Sequence, residues 1–227
     1  MENKYLINNA FVKLNQINKL YTMAGALEYA PITIAHNIVD NFIPYRKLPS
    51  VGEITNDNII SSIDATGYFK IITGGTVIII IDRDAKCSRE KSEFIKYIST
   101  PIKNEYLTDE FKEVILIMDE EIIESKKNII NEIMTLKGLS KNKINVYPFR
   151  NFVLPIPYCE CVDHHRILSE DEIDKLFSVK YLTFEDLKIM SVNDPPIVWL
   201  GGEAGQIVEV TGKSLTAIKT VSYWRLV

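Results

Sequence analysis

The chain of 227 residues has only three cysteines, an odd number with two of them separated by a single residue, which makes a poor structural disulfide framework. A reducing compartment is the expectation. No apolar run approaches the roughly 20 residues that span a bilayer, and Val77 to Ile81 is cut off by Asp82, Arg83 and Asp84. The residues from Met1 to Asn9 lack a basic stretch followed by an apolar one, so no secretory signal is expected and the protein reads as intracellular, with no membrane partner. Strong positive charge is also missing. The net charge is −4, which argues against autonomous nucleic-acid binding, since phosphate neutralisation needs a basic face. From Tyr158 onward 7 basic residues stand against 11 acidic ones, leaving 19 of each before it, so any DNA contact should lie in the first part.

What is present is an ordinary globular composition, 46% hydrophobic and 25% charged, long enough for two modest domains. Phe11, Leu14, Ile17, Leu20 and Tyr21 recur at helical spacing, and Pro31 can open a short second helix through Ile34, Ile38 and Val39. Pro44 and Pro49 end it before an irregular stretch. Tyr68 to Ile72 and Thr76 to Asp82 flank Thr73-Gly74-Gly75 as a hairpin. Ser88 to Ile98 follows as a helix with Phe94, Ile95 and Ile98 inward, then a strand at Val114 to Met118. A helix over Ser125 to Leu136, capped by Gly138, and a strand at Ile144 to Tyr147 complete a mostly parallel α/β core with a right-handed crossover.

Pro155, Pro157 and the polar residues Cys159 to His164 break this rhythm, and the domain boundary falls there, between 1–157 and 158–227. Beyond it, Ser169 with Glu172 and Thr183 with Asp186 have capping-box spacing, the first ahead of Ile173, Leu176 and Phe177 and the second ahead of Leu187 and Met190. Strands over Gln206 to Val210 and Ala217 to Leu226 enclose a turn at Thr211 to Ser214. The second part is a small α+β unit.

Four constellations offer chemistry. Cys159, Cys161, His164 and His165 are zinc-type ligands, but they lack a distant second pair and adjacent histidines point apart in an extended chain, so a hinge with thiols is the plainer reading and no metal is expected. Asp82, Asp84 and Lys86 after a strand, with Asp64 upstream, have the order of a restriction-enzyme-like nuclease, where two carboxylates hold Mg²⁺ and a lysine supports the attacking water. Strands also end in charged residues merely to solvate the chain. Gly201, Gly202 and Gly205 lack the Lys-Ser/Thr of a phosphate loop and read as turns, and Asp119, Glu120, Glu121 and Glu124 as a solvated helix start.

The segments His165-Arg-Ile-Leu-Ser-Glu-Asp-Glu, Tyr181 to Leu187, Asn193-Asp-Pro, Trp199-Leu-Gly, Gly205-Gln-Ile-Val, Ser214-Leu-Thr-Ala and Val221-Ser-Tyr together resemble the assembly domain of the small fifth subunit shared by cellular RNA polymerases, whose archaeal counterpart lacks an N-terminal jaw. Asp194-Pro-Pro-Ile-Val-Trp-Leu-Gly-Gly is most similar to versions in large nucleocytoplasmic DNA viruses of the asfarvirus-like group. The resemblance implies an α/β jaw domain, with a restriction-enzyme-like sheet and flanking helices, ahead of a small α+β assembly domain. It implies no active site and no cofactor. It places Asp194, Pro195, Trp199, Gly205, Gln206, Val208, Ser214, Thr216 and Tyr223 at the contact with the largest polymerase subunit, and Ser125, Lys126 and Lys127 near downstream DNA. It implies residence in the virion and the host cytoplasm (viral factory), or the nucleus for a cellular form. Val198, Glu203, Ala204, Leu215 and Trp224 depart from charged residues of cellular members, which suggests a partner surface with fewer ion pairs and more apolar contact.

Overall fold

Two adjacent glycines set the first sheet. In a computed structural model of the chain, which describes residues 30–108, 110–135, 143–180, 183–213 and 219–227, β1 (Tyr68–Thr73) turns into β2 (Thr76–Ile81) through Gly74 and Gly75 at φ 53° and 81°. Two left-handed residues make the tight turn whose twist matches paired antiparallel strands. β3 (Glu113–Met118) and β4 (Lys143–Pro148) then add in parallel, giving the order β1-β2-β3-β4. Every residue of β2 and all but Glu113 of β3 are buried, because a parallel sheet is covered on both faces. Val77, Ile79, Ile81, Leu116 and Met118 pack with Phe94, Ile98, Ile102, Ile130 and Ile133 in one core. The alternate residues Ile78 and Ile80 face the other way, where helix α1 (Ala30–Asn37) lies on β2. The chain divides into two compact units, Met1–Leu154 and Pro155–Val227.

Several local expectations need correction. The stretch after Pro49 holds a helix, α2 (Asn56–Thr66), capped by the Thr55 hydroxyl at 3.3 Å from the Asn58 N–H and stopped by Gly67 at φ 84°. Only Ile59 within it is buried, so its apolar signal is faint. The helix expected over Ser88 to Ile98 is broken into α3 (Lys86–Arg89), α4 (Lys91–Phe94) and a widened π turn at Ile95–Ser99, because Glu90 is extended. Ile95 is 40% exposed and does not point inward. The next helix begins earlier and is split at Lys126 into α5 (Glu120–Ser125) and α6 (Lys127–Thr135). The opening helix at Phe11 to Tyr21, Gly138, and the residues Ser214 and Thr216 lie outside the described residues.

In the second unit the sheet order is β5-β7-β8-β6, from β5 (His164–Ile167), β6 (Lys188–Met190), β7 (Ile207–Lys213) and β8 (Lys219–Leu226). Helix α7 (Glu170–Lys180) starts on a true capping box: the Ser169 and Glu172 side chains each take up the other's backbone N–H, at 3.4 and 2.9 Å. The Thr183 and Asp186 box is also present, but it caps a single 3-10 turn, after which the chain becomes strand β6. Thr211, Gly212 and Lys213 belong to β7 and not to a turn. Helix α8 (Pro195–Leu200) ends at Gly201, φ 72°. Among the described residues no helix is long and apolar enough to cross a membrane.

Candidate functional site

Asp194 and Pro195 open α8 through the backbone: the Asp194 carbonyl accepts from Ile197 and Val198 at 2.8 and 2.9 Å, and Pro195 fills the first turn, where its missing N–H is no loss. The turn buries Ile197, Val198 and Trp199. Trp199, expected at a partner contact, is 0% exposed, and Val198 is 1% exposed. Both side chains are packed inside the fold. Val208 is buried likewise. Gly205 and Gln206 tie the chain end to the loop before β7: Gly205 N–H donates to Leu226 O at 3.0 Å, Leu226 N–H to Gln206 O at 2.9 Å, and Glu203 N–H to Gln206 Oε1 at 2.8 Å. Gly202 is fitted to this corner, since a Cβ there would stand 2.6 Å from Ile197 Cγ2 and 2.7 Å from Leu226 Cδ1.

β8 is only partly covered on its outer side. β8 is paired along its length with β7, but β6 covers only Trp224, Arg225 and Leu226 on the other side. Among the described residues no strand lies beside 219–222 on that side. Arg225 pairs across with Ile189, and Val221 and Val227 share their face by the period of two. Ile189, Val221 and Val227 are 54%, 44% and 52% exposed, and of these Val221 lies on the stretch of β8 that β6 does not cover, while Val227 bonds Met190 and Val192 through its backbone. Arg225 lies 5.4 Å over the Phe184 ring and Lys188 5.0 Å over Trp224, which shields part of the aromatic surface. Next to it, Tyr223, Leu176, Val179 and Leu168 line a groove of about 290 Å³. Arg166 bridges Glu172 at 2.6 Å and Glu209 at 3.2 Å there, pinning the first turn of α7 to β7. The Ser169 backbone N–H, and then Arg166, hold the Glu172 carboxyl at a pKa of about 2.

In the first unit Asp64, Asp82, Asp84 and Lys86 do meet, around a cleft of about 390 Å³ that Glu93 and Tyr97 also line. The gathering does not make a metal centre. Burial and then the Asp84 charge raise the Asp82 pKa, while the backbone N–H groups of Asp84, Arg83 and Ala85 are spent on the same carboxylate, so it caps its own turn. Asp84 pairs with Arg89 at 2.9 Å. Among the described residues no group of three His, Cys, Asp or Glu could hold a metal ion, the Cys159 to His165 cluster included. His164 and His165 are neighbours on β5 and point to opposite faces. Of the three residues expected near DNA, Ser125 donates its hydroxyl to Ile122 O at 3.1 Å and Lys127 pairs with Glu124 at 3.3 Å. The Lys126 side chain is buried and its Nζ donates to the Arg89 carbonyl at 3.1 Å, bracing α3.

Residues 155–227 match the family model described as RNA polymerase Rpb5, C-terminal domain. The archaeal DNA-directed RNA polymerase subunit Rpo5 of Thermococcus onnurineus is 38% identical over 68 residues, 30% of this chain and 82% of that protein. The chain belongs to the Rpb5 family of DNA-directed RNA polymerase subunits. Rpo5 of Methanococcus vannielii is 37% identical over 68 residues, 30% of this chain and 86% of its own length. The similarity to a DNA-directed RNA polymerase RPB5 homolog of African swine fever virus is longer, 29% identity over 187 residues, 79% of this chain and 89% of that protein. A nuclease at the Asp64 to Lys86 cleft has no support from these relatives. Within the Rpb5 family region, sequence reading missed the Arg166 bridge and the uncovered stretch of β8 that carries Val221. The capping box at Ser169 was its one legible signal, because the bridge ends on the same Glu172.

Proposed function

We propose that the chain is a non-catalytic, cofactor-free subunit of a viral multisubunit DNA-directed RNA polymerase, with 158–227 as the assembly domain that docks on the largest subunit and 1–157 as a jaw near downstream DNA during transcription. One observation carries the assembly role: 68 residues of this chain cover over four-fifths of the archaeal Rpo5 subunits, so this region is nearly the whole of what those subunits bring to their polymerases. The open backbone at 219–222, with the exposed Val221 on it, is of a kind that a partner strand can complete. Asp194, Pro195, Gly205 and Gln206 act by shaping the corner that holds β8, and Tyr223 by walling the adjoining groove. Trp199 and Val208 support the fold beneath it.

The jaw assignment, including a restriction-enzyme-like ancestry without activity, rests on the parallel sheet and on the long viral similarity. Ser125 and Lys127 remain the DNA-proximal candidates, and one lysine adds little affinity alone. The viral relatives support residence in the cytoplasmic factory of an infected cell and in the virion. Co-purification with a tagged copy tests the reading. The two largest polymerase subunits are expected to follow the full chain and to be lost on deleting 216–227 while the first unit stays folded. Retention of both by the deleted chain would move the interface elsewhere.

A further inference from the structure

Cys159 and Cys161 serve neither the docking sheet nor, among the described residues, a metal group. They sit in a tight turn just before β5. Val162 N–H donates to the Cys159 carbonyl at 3.0 Å, and Cys159 N–H donates to the Ile156 carbonyl at 3.1 Å. A turn closed in this way folds its four Cα atoms to within about 7 Å end to end. Its first and third residues therefore fall in the roughly 4.4–6.8 Å Cα separation that a disulfide spans. Both thiols are free; Cys161 is exposed, and Cys159 is half-buried with Sγ 3.6 Å from the Pro155 carbonyl. Burial raises the Cys159 pKa, and the charge of a neighbouring Cys161 thiolate raises it further. Cys87 is the opposite case, buried with Sγ 3.6 Å from Gly67 O and its pKa raised by burial.

We propose that Cys159 and Cys161 are a reversible redox pair that forms an intrachain disulfide by exchange with a small-molecule disulfide of the glutathione class. The exposed Cys161 thiolate attacks one sulfur of oxidised glutathione. A mixed disulfide forms, and the first glutathione thiolate leaves and takes up a proton. Cys159, deprotonated to solvent, then attacks the Cys161 sulfur and expels the second glutathione. Two protein thiols are oxidised and one glutathione disulfide is reduced to two thiols. The ring closed across one intervening residue is small, and strain of that kind makes a disulfide readily reduced again. Closure would stiffen the entry to β5, where an added Cβ on Gly212 of β7 would meet the Asp163 carboxylate at 2.5 Å, so this segment has no room to shift toward β7.

The test uses the full folded chain, reduced and then equilibrated in buffers of increasing oxidised-to-reduced glutathione ratio, alkylated and digested with trypsin. Cys159 and Cys161 fall together in the peptide 151–166, and Cys87 in the peptide 87–89. The expected result is a single two-electron step in which 151–166 loses both alkyl groups and becomes two hydrogens lighter than the dithiol, while 87–89 stays alkylated; dithiothreitol reverses it. In C159S the product is a glutathione adduct on Cys161. The proposal is overturned if the unmutated chain stops at glutathione adducts, cross-links to a second chain, or remains alkylated at both cysteines throughout.

Discussion

Arg46 donates to Glu113 at 2.7 Å with both side chains nearly closed off from solvent, at 8% and 13% exposure. The pair joins the helical segment after α1 to the start of β3. Asn145 Nδ2 also donates to Glu113 Oε1 at 2.7 Å, and Arg46 lies 4.6 Å over the Phe42 ring. Removing one partner of a buried ion pair costs about 3–5 kcal/mol. Glu113→Ala should therefore lower the urea midpoint far more than Glu113 and Arg46 replaced together by Leu and Met. Equal losses would show that breaking the pair carries no penalty beyond lost packing.

Gly202 predicts a packing defect confined to the second unit. Gly202→Ala would place a methyl against Ile197 and Leu226, and one extra methyl in a filled core costs roughly 1–3 kcal/mol. The Leu226 amide should lose hydrogen-exchange protection, while β2 and β3 keep theirs.

Glu172 predicts an acid transition. Its pKa is depressed to about 2 in the folded chain, against an unfolded value near 4.3. A depressed carboxylate stabilises fully above its unfolded pKa and loses that contribution as pH falls through the folded one. The capping of α7 should thus weaken between about pH 4.3 and 2. Glu172→Gln should flatten this dependence in urea melts run across that window; an unchanged slope would put the acid sensitivity in another carboxylate.

Trp199 and Val221 separate core from surface. Trp199→Ala should cost about 3–5 kcal/mol of stability, as deletion of a buried aromatic does. Val221→Lys should leave the melting curve within about 0.5 kcal/mol of the unmutated chain. It should nonetheless reduce co-purification of polymerase subunits about tenfold or more, the loss expected of a central apolar contact. Unimpaired capture by Val221→Lys would take the interface away from the β8 edge.

The sequence by itself determined the glycine hairpin, the buried strands and the Ser169 capping box, because each is written within a few residues: two glycines between β-branched runs, unbroken Ile and Val, and a serine three before a glutamate. It also carried the family wording from His165 to Tyr223. What it could not contain was the destination of each side chain. The resemblance places Trp199 at a partner contact and Lys126 near DNA, while a six-residue helix turns the tryptophan into the core and the break between α5 and α6 directs the lysine to the Arg89 carbonyl. The aspartates of the nuclease-like pattern do converge, but only the folded turn reveals that Asp82 is occupied by its own backbone. The β8 edge likewise depends on β6 being three residues long, a limit set by strand pairing across more than thirty residues of chain. Local spacing encodes elements; burial and pairing, which are sums over distant contacts, decide which residues are left for a partner.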